Sequence, residues 1–430
     1  MRIHFIGIGG IGLSALARFL KYSGHDISGS DIKSTPITKT LEEENIKINI
    51  PQSASAICGQ DLIIYSAAIT NTNTERLEAT RQKLNVMARK EALPIILKDT
   101  QNYCVCAAHG KSTTTAMLSS ILQSSAIIGA ISKEFNSNFR YINNILAFEA
   151  DESDESFILS NPYCSIVLNT EPEHMEYYNY DEEKFYDAYK KFLDIAPKKV
   201  INAEDDFLKK YNGVATKLFP SIDIKNITYL LKDGEPYTKF DLKDFGTFEV
   251  WGFGEHIALD ASMAILAALD IMDIETIKIN IAKYKGIKKR FDIIQKQHNF
   301  IVIDDYAHHP TEILATMNSI KLYNNLQNID KIYVIWQPHK YSRTKDNLEL
   351  FKICFKGCHK LIILPVWSVS EPILDIDFAK EFQHYSLVFA DSIVTTQNKL
   401  SLIKDSCVVD TIDDGIVVGV GAGDITYQLR

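Results

Sequence analysis

Twice in its N-terminal half the chain passes from an apolar run to a helical pattern through a tight glycine turn. In RIHFIGIGGIGLSALARFLKYSG (2–24) the run enters Gly7-x-Gly9-x-x-Gly12 and leaves as a helix closed by Gly24. In YCVCAAHGKSTTTAMLSSILQ (103–123) a second run enters Gly110-Lys111-Ser112 and leaves as another helix, expected from about Ser112 to Gln123. Strand, glycine turn and helix in that order build largely parallel sheets covered on both faces, so this feature predicts an α/β fold.

The alternation continues in three zones. The first adds the strands DISGSD and DLIIYSAAI (61–69) and ends near Leu97-Lys98-Asp99. The second adds NILAFEA (144–150), YCSIVLN (163–169) and a helix at EEKFYDAYKKFLDIA. An irregular β-rich stretch over 215–252 and an apolar, buried helix at ALDASMAILAALDIM (258–272) complete it. The third follows KGIKKR (285–290), with strands FIVIDD, KIYVIWQ, KLIILPV and GIVVGVGAG. A chain of 430 residues outgrows a single core, and three α/β domains are predicted over 1–98, 99–288 and 289–430.

Net charge of −9 argues against a duplex nucleic-acid binder, whose surface needs a basic stripe. No apolar run reaches the ~20 residues of a membrane span. MRIHFIGIGG enters a strand directly, without the basic and apolar regions of a signal peptide, so a soluble, cytoplasmic protein is expected. The seven cysteines are odd in number and scattered, unlike a disulfide framework. Cys354, Cys358 and His359 cluster in CFKGCH but lack the second pair of ligands a structural zinc needs, so buried or reduced thiols are expected.

The first loop offers backbone N–H groups and a helix N-terminus to a pyrophosphate, and Asp31 ends the next strand where a carboxylate meets a ribose hydroxyl. NAD and a UDP-sugar both carry a pyrophosphate, and the plain alternative is a structural turn. The second loop has the lysine and hydroxyl of an ATP loop, Lys111 toward the β- and γ-phosphates and Ser112 toward magnesium. Val105 stands where a full phosphate-binding loop has its first glycine, and the plain alternative is a helix start capped by Thr113 to Thr115. NILAF runs into Glu149, placed for a second magnesium ligand, while the rest of EADESDES reads mostly as a solvated loop. SIVLN runs into TEPEHMEYY, delivering Glu173 and His174 to the same edge. Together these features favour ATP hydrolysis or phosphoryl transfer over hydride transfer.

In the third zone FIVIDD ends in Asp304-Asp305 and continues into Tyr306, His308 and His309. YVIWQ leads to His339, Lys340 and Arg343, and GIVVGVGAGD ends in Gly421, Gly423 and Asp424. Such endings imply a lined cleft suited to phosphate or carboxylate.

GIGGIGLSALA, SGSD, SAAI, HGKSTT, EADESD, NTEPEHMEYY, GIKKRFD, DDYAHHPTE, QPHKYSRT and GAGDIT follow one another over almost the whole chain. In that order they resemble the motifs of the ATP-dependent Mur ligases of bacterial peptidoglycan synthesis. The resemblance implies an N-terminal Rossmann-like UDP-binding domain, a central P-loop-type ATPase domain with a mixed or parallel sheet, and a C-terminal Rossmann-like domain. It accounts for Val105, since the family's ATP loop is a shortened form. It also gives the first loop to the UDP of a sugar, with no nicotinamide cofactor. Ala107 departs from the family's usual glycine. Ile257 and Asp260 in HIALDA depart from its asparagines, which bears on the adenine contacts, and Lys340 stands where arginine is common.

The motifs resemble most those of members that join L-alanine to UDP-N-acetylmuramate. The resemblance then implies that the lactyl carboxylate attacks the γ-phosphate of ATP and that the amine of L-alanine displaces phosphate from the acyl phosphate. Lys111 would stabilise the transferring phosphate, Ser112 and Glu149 would hold one Mg2+ ion, and His174 a second. ATP would be contacted by His109, Gly110, Lys111, Ser112, Thr113, His256, Asp260, Arg290 and Asp305. Gly9, Gly10, Ile11, Gly12, Asp31 and Ser66 would bind UDP, with Arg89 and His109 toward the muramyl end. Tyr306, His308, His339 and Arg343 would close over phosphate and L-alanine, and Lys111, His174, His308 and Arg343 form the implied catalytic set. Arg290 and Asp292 mark a hinge, and the segments near 98–104 and 285–290 are expected to flex. The expected partners are these small molecules, with no nucleic acid and no membrane, in a monomer or homodimer. The nearest rival is a recycling ligase that adds a tripeptide to the same UDP-sugar. A folate-polyglutamating ligase leaves the first loop unexplained. An NAD-dependent dehydrogenase explains GIGGIG and nothing after residue 100, and a nucleotide sensor leaves the cleft residues idle.

Overall fold

The apolar runs that end in glycine are the central strands of open sheets, where burial on both faces requires unbroken runs of apolar side chains. The structure, a computed structural model, describes residues 1–430 except 174, 298, 369 and 370. The first sheet comprises β1 (Arg2–Ile6), β2 (Asp26–Ser30), β3 (Lys47–Asn49), β4 (Leu62–Tyr65) and β5 (Val86–Ala88), in the order β3-β2-β1-β4-β5. All its pairs are parallel. The chain leaves β1 for β2 on one side and later returns to β4 on the other, so the first glycine loop sits at a topological switch point.

The second sheet comprises β6 (Gln101–Cys106), β7 (Ser125–Ser132), β8 (Ser137–Arg140), β9 (Ile145–Glu149), β10 (Pro162–Val167), β11 (Lys198–Asn202) and β12 (Thr216–Leu218). Its order is β12-β11-β10-β6-β9-β7-β8, parallel except for the β7–β8 hairpin. The second glycine loop leaves the central strand β6 and enters the helix Lys111–Leu122. These two sheets belong to one compact unit of residues Met1–Asn226, Phe240–Val250 and Ala258–Lys285. Its main core runs from Phe5 and Leu16 through Phe139 and Phe148 to Tyr189. Residues 101–104, expected to flex, instead begin β6. Tyr103 and Cys104 are buried, and the Asn102 side-chain amide donates to the Leu97 carbonyl at 2.9 Å. The apolar helix expected at 258–272 spans Glu255–Ala268.

β13 (Ile224–Lys232), β14 (Glu235–Leu242) and β15 (Thr247–Trp251) form a three-stranded sheet in the stretch expected to be β-rich. The second compact unit comprises Ile227–Lys239, Trp251–Ile257 and Gly286–Arg430. Its strands are β16 (Asp292–Gln297), β17 (Phe300–Asp305), β18 (Ile332–Trp336), β19 (Lys360–Ile363), β20 (Leu387–Phe389), β21 (Ser392–Thr396), β22 (Lys399–Lys404), β23 (Cys407–Ile412) and β24 (Gly415–Val420). The larger sheet has the order β16-β17-β24-β18-β19-β20, with only β16 antiparallel, while β21 to β23 make a separate antiparallel sheet. Trp336 anchors one face against Phe351, Phe355 and Phe382, with ring centroids 4.9, 5.0 and 5.3 Å away. No helix among the described residues is long and apolar enough to cross a membrane.

Candidate functional site

The first glycine loop is tied to the end of β2. Gly7 has φ +81°, a value that glycine adopts without strain, and the Gly7 and Ile8 N–H groups donate to the Ser30 carbonyl at 2.9 and 3.0 Å. The Gly9 N–H donates to Asp31 Oδ2 at 2.8 Å, which sets the expected ribose carboxylate against the loop. Ser66 N–H donates to the Ile6 carbonyl at 3.1 Å, so the end of β4 closes the same corner, while Gly10 and Ile11 are exposed at the turn. Arg89 lies beside the loop, since a Cβ at Gly12 would stand 3.3 Å from its Nη1. The Arg89 guanidinium also approaches Asp151 and Ser156, each at 3.4 Å, and Asp154 at 3.7 Å.

Gly110, at φ +88°, starts the helix of the second loop, and a Cβ there would stand 2.6 Å from Asp260 Oδ1. Lys111 Nζ donates to the carbonyls of Ala107 and Ala108 and to Glu152 Oε1 at 3.0 Å. Glu152 is 2% exposed, burial pushes its carboxyl up to about 7 against the pull of Lys111, and Oε2 has no hydrogen-bond partner among the described residues. The acidic run is therefore not the solvated loop the sequence suggests. Ala150, Glu152, Ser156 and Phe157 are buried, and Tyr178 Oη donates to the Glu152 carbonyl at 2.6 Å. The one signal for Glu152 was its place shortly after a strand whose end faces the lysine loop.

Glu149 Oε2 accepts the Gly129 N–H at 2.7 Å, and the Ser112 hydroxyl hydrogen-bonds the same carboxylate. Burial raises the Glu149 pKa, with Gly129, Lys111 and Ser112 opposing. Thr113 hydrogen-bonds the buried Tyr284 phenol, which also feels the charge of Asp260. His109 is framed by Asn169, whose Oδ1 accepts the His109 N–H at 3.0 Å and whose Nδ2 donates to the His109 carbonyl at 2.9 Å. The His109 ring Nε2 lies 2.8 Å from Glu171 Oε2 and 3.8 Å from Glu173 Oε1. Nothing in the sequence singles out Asn169 and Glu171, although both follow the strand end that delivers Glu173. The expectation at His174 lies outside the described residues. Among the described residues no three His, Cys, Asp or Glu side chains converge as a metal site, and the Cys354 thiol is buried, its Sγ donating to the Phe351 carbonyl at 3.3 Å.

In the second unit, Arg290, Tyr306, His308, His339 and Arg343 come together. Arg290 stands over the Tyr306 ring at 5.8 Å and lies 3.4 Å from Glu312 Oε1. His308 and His339 rings are 5.8 Å apart, and Arg343 Nη1 reaches His339 Nδ1 at 3.0 Å. His308 Nδ1 faces the Tyr306 carbonyl at 3.1 Å; a carbonyl only accepts, so this nitrogen carries the proton and Nε2 keeps its lone pair. Burial lowers the His308 pKa to about 4, with Glu312 opposing and Arg343 and Arg290 assisting. Glu312 receives the His308 and His309 N–H groups at 3.0 and 3.2 Å, the capping position three residues into a helix, a signal the sequence reading left unused.

Other expected residues are engaged in holding the chain. Asp305 is buried and accepts the N–H groups of Phe291 and Ala307, each at 2.9 Å. Asp304 and Asp292 share the Arg430 guanidinium at 2.9 and 2.7 Å. Asp424 accepts from Gln337 at 2.6 Å, while Lys340 is exposed, at φ +67°, and His256 is exposed near the start of its helix.

Two glycine loops leaving the carboxyl ends of parallel strands, the second with a buried lysine and a hydroxyl–carboxylate pair, define a nucleotide-binding α/β protein. Profiles described as "Mur ligase family, catalytic domain" and "Mur ligase, glutamate ligase domain" match residues 2–101 and 289–400. The chain is 51% identical over 430 residues to the UDP-N-acetylmuramate–L-alanine ligase of Campylobacter curvus, covering 100% of this chain and 99% of that protein. It is 56% identical over 433 residues to the enzyme of that name from Helicobacter pylori, covering 100% and 96%. The solved UDP-N-acetylmuramate–alanine ligase of Thermotoga maritima shares the fold, with TM-score 0.81 at 24% identity over 100% of this chain and 97% of that one. A murein peptide ligase of Psychrobacter arcticus does so with TM-score 0.65 at 19% identity, over 100% and 97%. The chain belongs to the Mur ligase family.

Proposed function

We propose that this chain joins L-alanine to the lactyl carboxylate of UDP-N-acetylmuramate, driven by ATP, in the cytoplasm, as a step of bacterial peptidoglycan synthesis. The observation that carries this reading is full-length identity of 51% and 56% to two ligases named for that reaction. Three working parts are proposed with it: residues 1–98 for the UDP-sugar, 99–288 for ATP and 289–430 for the amino acid.

A carboxylate is a poor acyl donor until one of its oxygens becomes a good leaving group. Its attack on the γ-phosphate of ATP expels ADP and makes the acyl phosphate. The alanine nitrogen then adds to the carbonyl carbon, the C–O bond to phosphate breaks, and the nitrogen gives up a proton. Such transfers depend on positioning and charge neutralisation. Lys111 has its three N–H donors on two loop carbonyls and Glu152, and exchanges them for phosphate oxygens when nucleotide enters. Ser112 and Glu149, a hydroxyl and a carboxylate in contact, are hard oxygen donors that fit one Mg2+ ion, and His174 is proposed for a second. Bound there, the ion would neutralise phosphate charge. The lone pair of His308 Nε2 suits it to take the proton the amine loses, and Arg343 suits the carboxylate of the amino acid. Gly9 to Gly12, Asp31, Ser66, Arg89 and His109 are the proposed contacts of the UDP-sugar. His109, Gly110, Thr113, His256, Asp260, Arg290 and Asp305 are those of ATP, and Tyr306 and His339 those of L-alanine.

The test is phosphate release by purified protein with magnesium, ATP and UDP-N-acetylmuramate, adding L-alanine, glycine, L-serine or the murein tripeptide, with product masses. Release greatest with L-alanine, and a product one alanyl residue heavier, is expected. Preference for the tripeptide would transfer the chain to recycling, and no release with any acceptor would overturn the reading.

A further inference from the structure

The β7–β8 hairpin belongs to the second sheet yet ends on the first glycine loop. Asn138, 5% exposed, donates from Nδ2 to the Ile11 carbonyl at 2.6 Å and to Ser14 Oγ at 3.2 Å, while its Oδ1 accepts from Arg18 Nη1 at 3.2 Å. Arg18 also bonds Ser137 and Glu44, and its guanidinium lies 5.1 Å from the centre of the Phe139 ring. The other end of the hairpin is held by the surroundings of the ATP loop. Gly129 N–H donates to Glu149 at 2.7 Å, and Arg140 donates to Glu134 and to the Ser119 carbonyl, each at 2.7 Å. Glu134 in turn takes the Ser120 hydroxyl, on the helix that follows the second loop.

The Ile11 carbonyl begins the helix Ile11–Tyr22, whose first N–H groups have no partner within the helix and form the anion-binding end. In a planar trans peptide the carbonyl of one residue and the N–H of the next point in opposite directions. A donor that holds the Ile11 oxygen therefore also fixes the direction of the Gly12 N–H. Ser14 Oγ donates to the same oxygen at 2.9 Å, so the amide and the hydroxyl together clamp one peptide plane of the loop.

We propose that Asn138 is a positioning residue for the UDP-sugar: from the second sheet it holds the Ile11–Gly12 peptide so that the Gly12 N–H faces the diphosphate. This rests on the reading that the first loop takes the UDP of the substrate. The experiment titrates UDP-N-acetylmuramate into the full-length wild type, Asn138→Asp, Asn138→Ala and Ser14→Ala by calorimetry, with steady-state kinetics for each substrate. Aspartate keeps an oxygen for Arg18 but sets another against the Ile11 carbonyl, so it should weaken binding at least as much as alanine. Both variants at 138 are expected to raise Kd and KM for the UDP-sugar about tenfold, leaving KM for ATP and kcat at saturating sugar within about twofold. Ser14→Ala, which removes only the supporting hydroxyl, should raise Kd two- to threefold, about the effect of one weak neutral bond. Folded variants with unchanged Kd, or equal losses toward ATP and sugar, overturn the proposal. If the variants at 138 do not fold, an unchanged Kd in Ser14→Ala overturns it. A wild type that binds ATP but no UDP-sugar instead sinks the functional reading on which it rests.

Discussion

Lys111 and Glu152 show how much a buried pair depends on both members. Removing Lys111 leaves a carboxylate that is 2% exposed without its cation, so Lys111→Ala should lose about 3 kcal/mol of stability as well as activity. Adding Glu152→Gln should restore most of the stability and none of the activity, read by urea unfolding and phosphate release. His308 gives a pH prediction with a definite sign. Its folded pKa of about 4 lies below the 6.5 of a free imidazole, so the unfolded chain binds a proton first as pH falls. The contribution is whole above pH 6.5 and is lost between pH 6.5 and 4, by about 2 kcal/mol after allowance for partial exposure. His308→Gln should flatten urea midpoints across that window; an unchanged slope would show that His308 is not the group responsible. The places of Lys111, His109, His308, His339 and Arg343 in the fold were legible in the sequence because these residues follow strand ends. Glu152 and Glu312 were not, because an acid in a charged run or a capping position carries no mark of the cation it will meet.

The two glycine loops are where local chemistry and packing coincide. Gly110 combines φ +88° with Asp260 so close that a Cβ would meet it at 2.6 Å. Gly110→Ala should therefore cost about 1–3 kcal/mol in strain and abolish tight ATP binding while sparing UDP-sugar binding, as separate calorimetric titrations would report. The strand–glycine–helix pattern was sufficient to find both loops and the central strands β1 and β6. It started β6 at Tyr103, two residues late, because a change of zone near 98–104 looked like a linker. Polar Gln101 and Asn102 open the central strand β6 there, and Asn102 stays buried because its amide reaches the Leu97 carbonyl. It also passed over β21 to β23, whose outward positions carry Val394, Val408 and Val409, so the polar alternation that marks a half-exposed strand is blurred.

The chain has two compact units, each with its own buried apolar clusters. Trp336→Ala empties the centre of the aromatic cluster in the second and should destabilise that unit by about 3–5 kcal/mol. Scanning calorimetry should show one transition lowered, with UDP-sugar affinity unchanged; a parallel loss of affinity would contradict it. The class of fold, the order of the strand–loop–helix units and most of the cations at the strand ends follow from the amino-acid order alone. They rest on short-range rules: apolar runs for buried strands, glycine for left-handed turns, helical periodicity after them. The pairings of Lys111 with Glu152, Arg290 with Glu312 and Asn138 with Ile11 span 41, 22 and 127 residues, and no local rule reaches so far. They exist because packing brings those segments together and because a buried polar group without a partner is costly, a selection that acts only once the chain is folded.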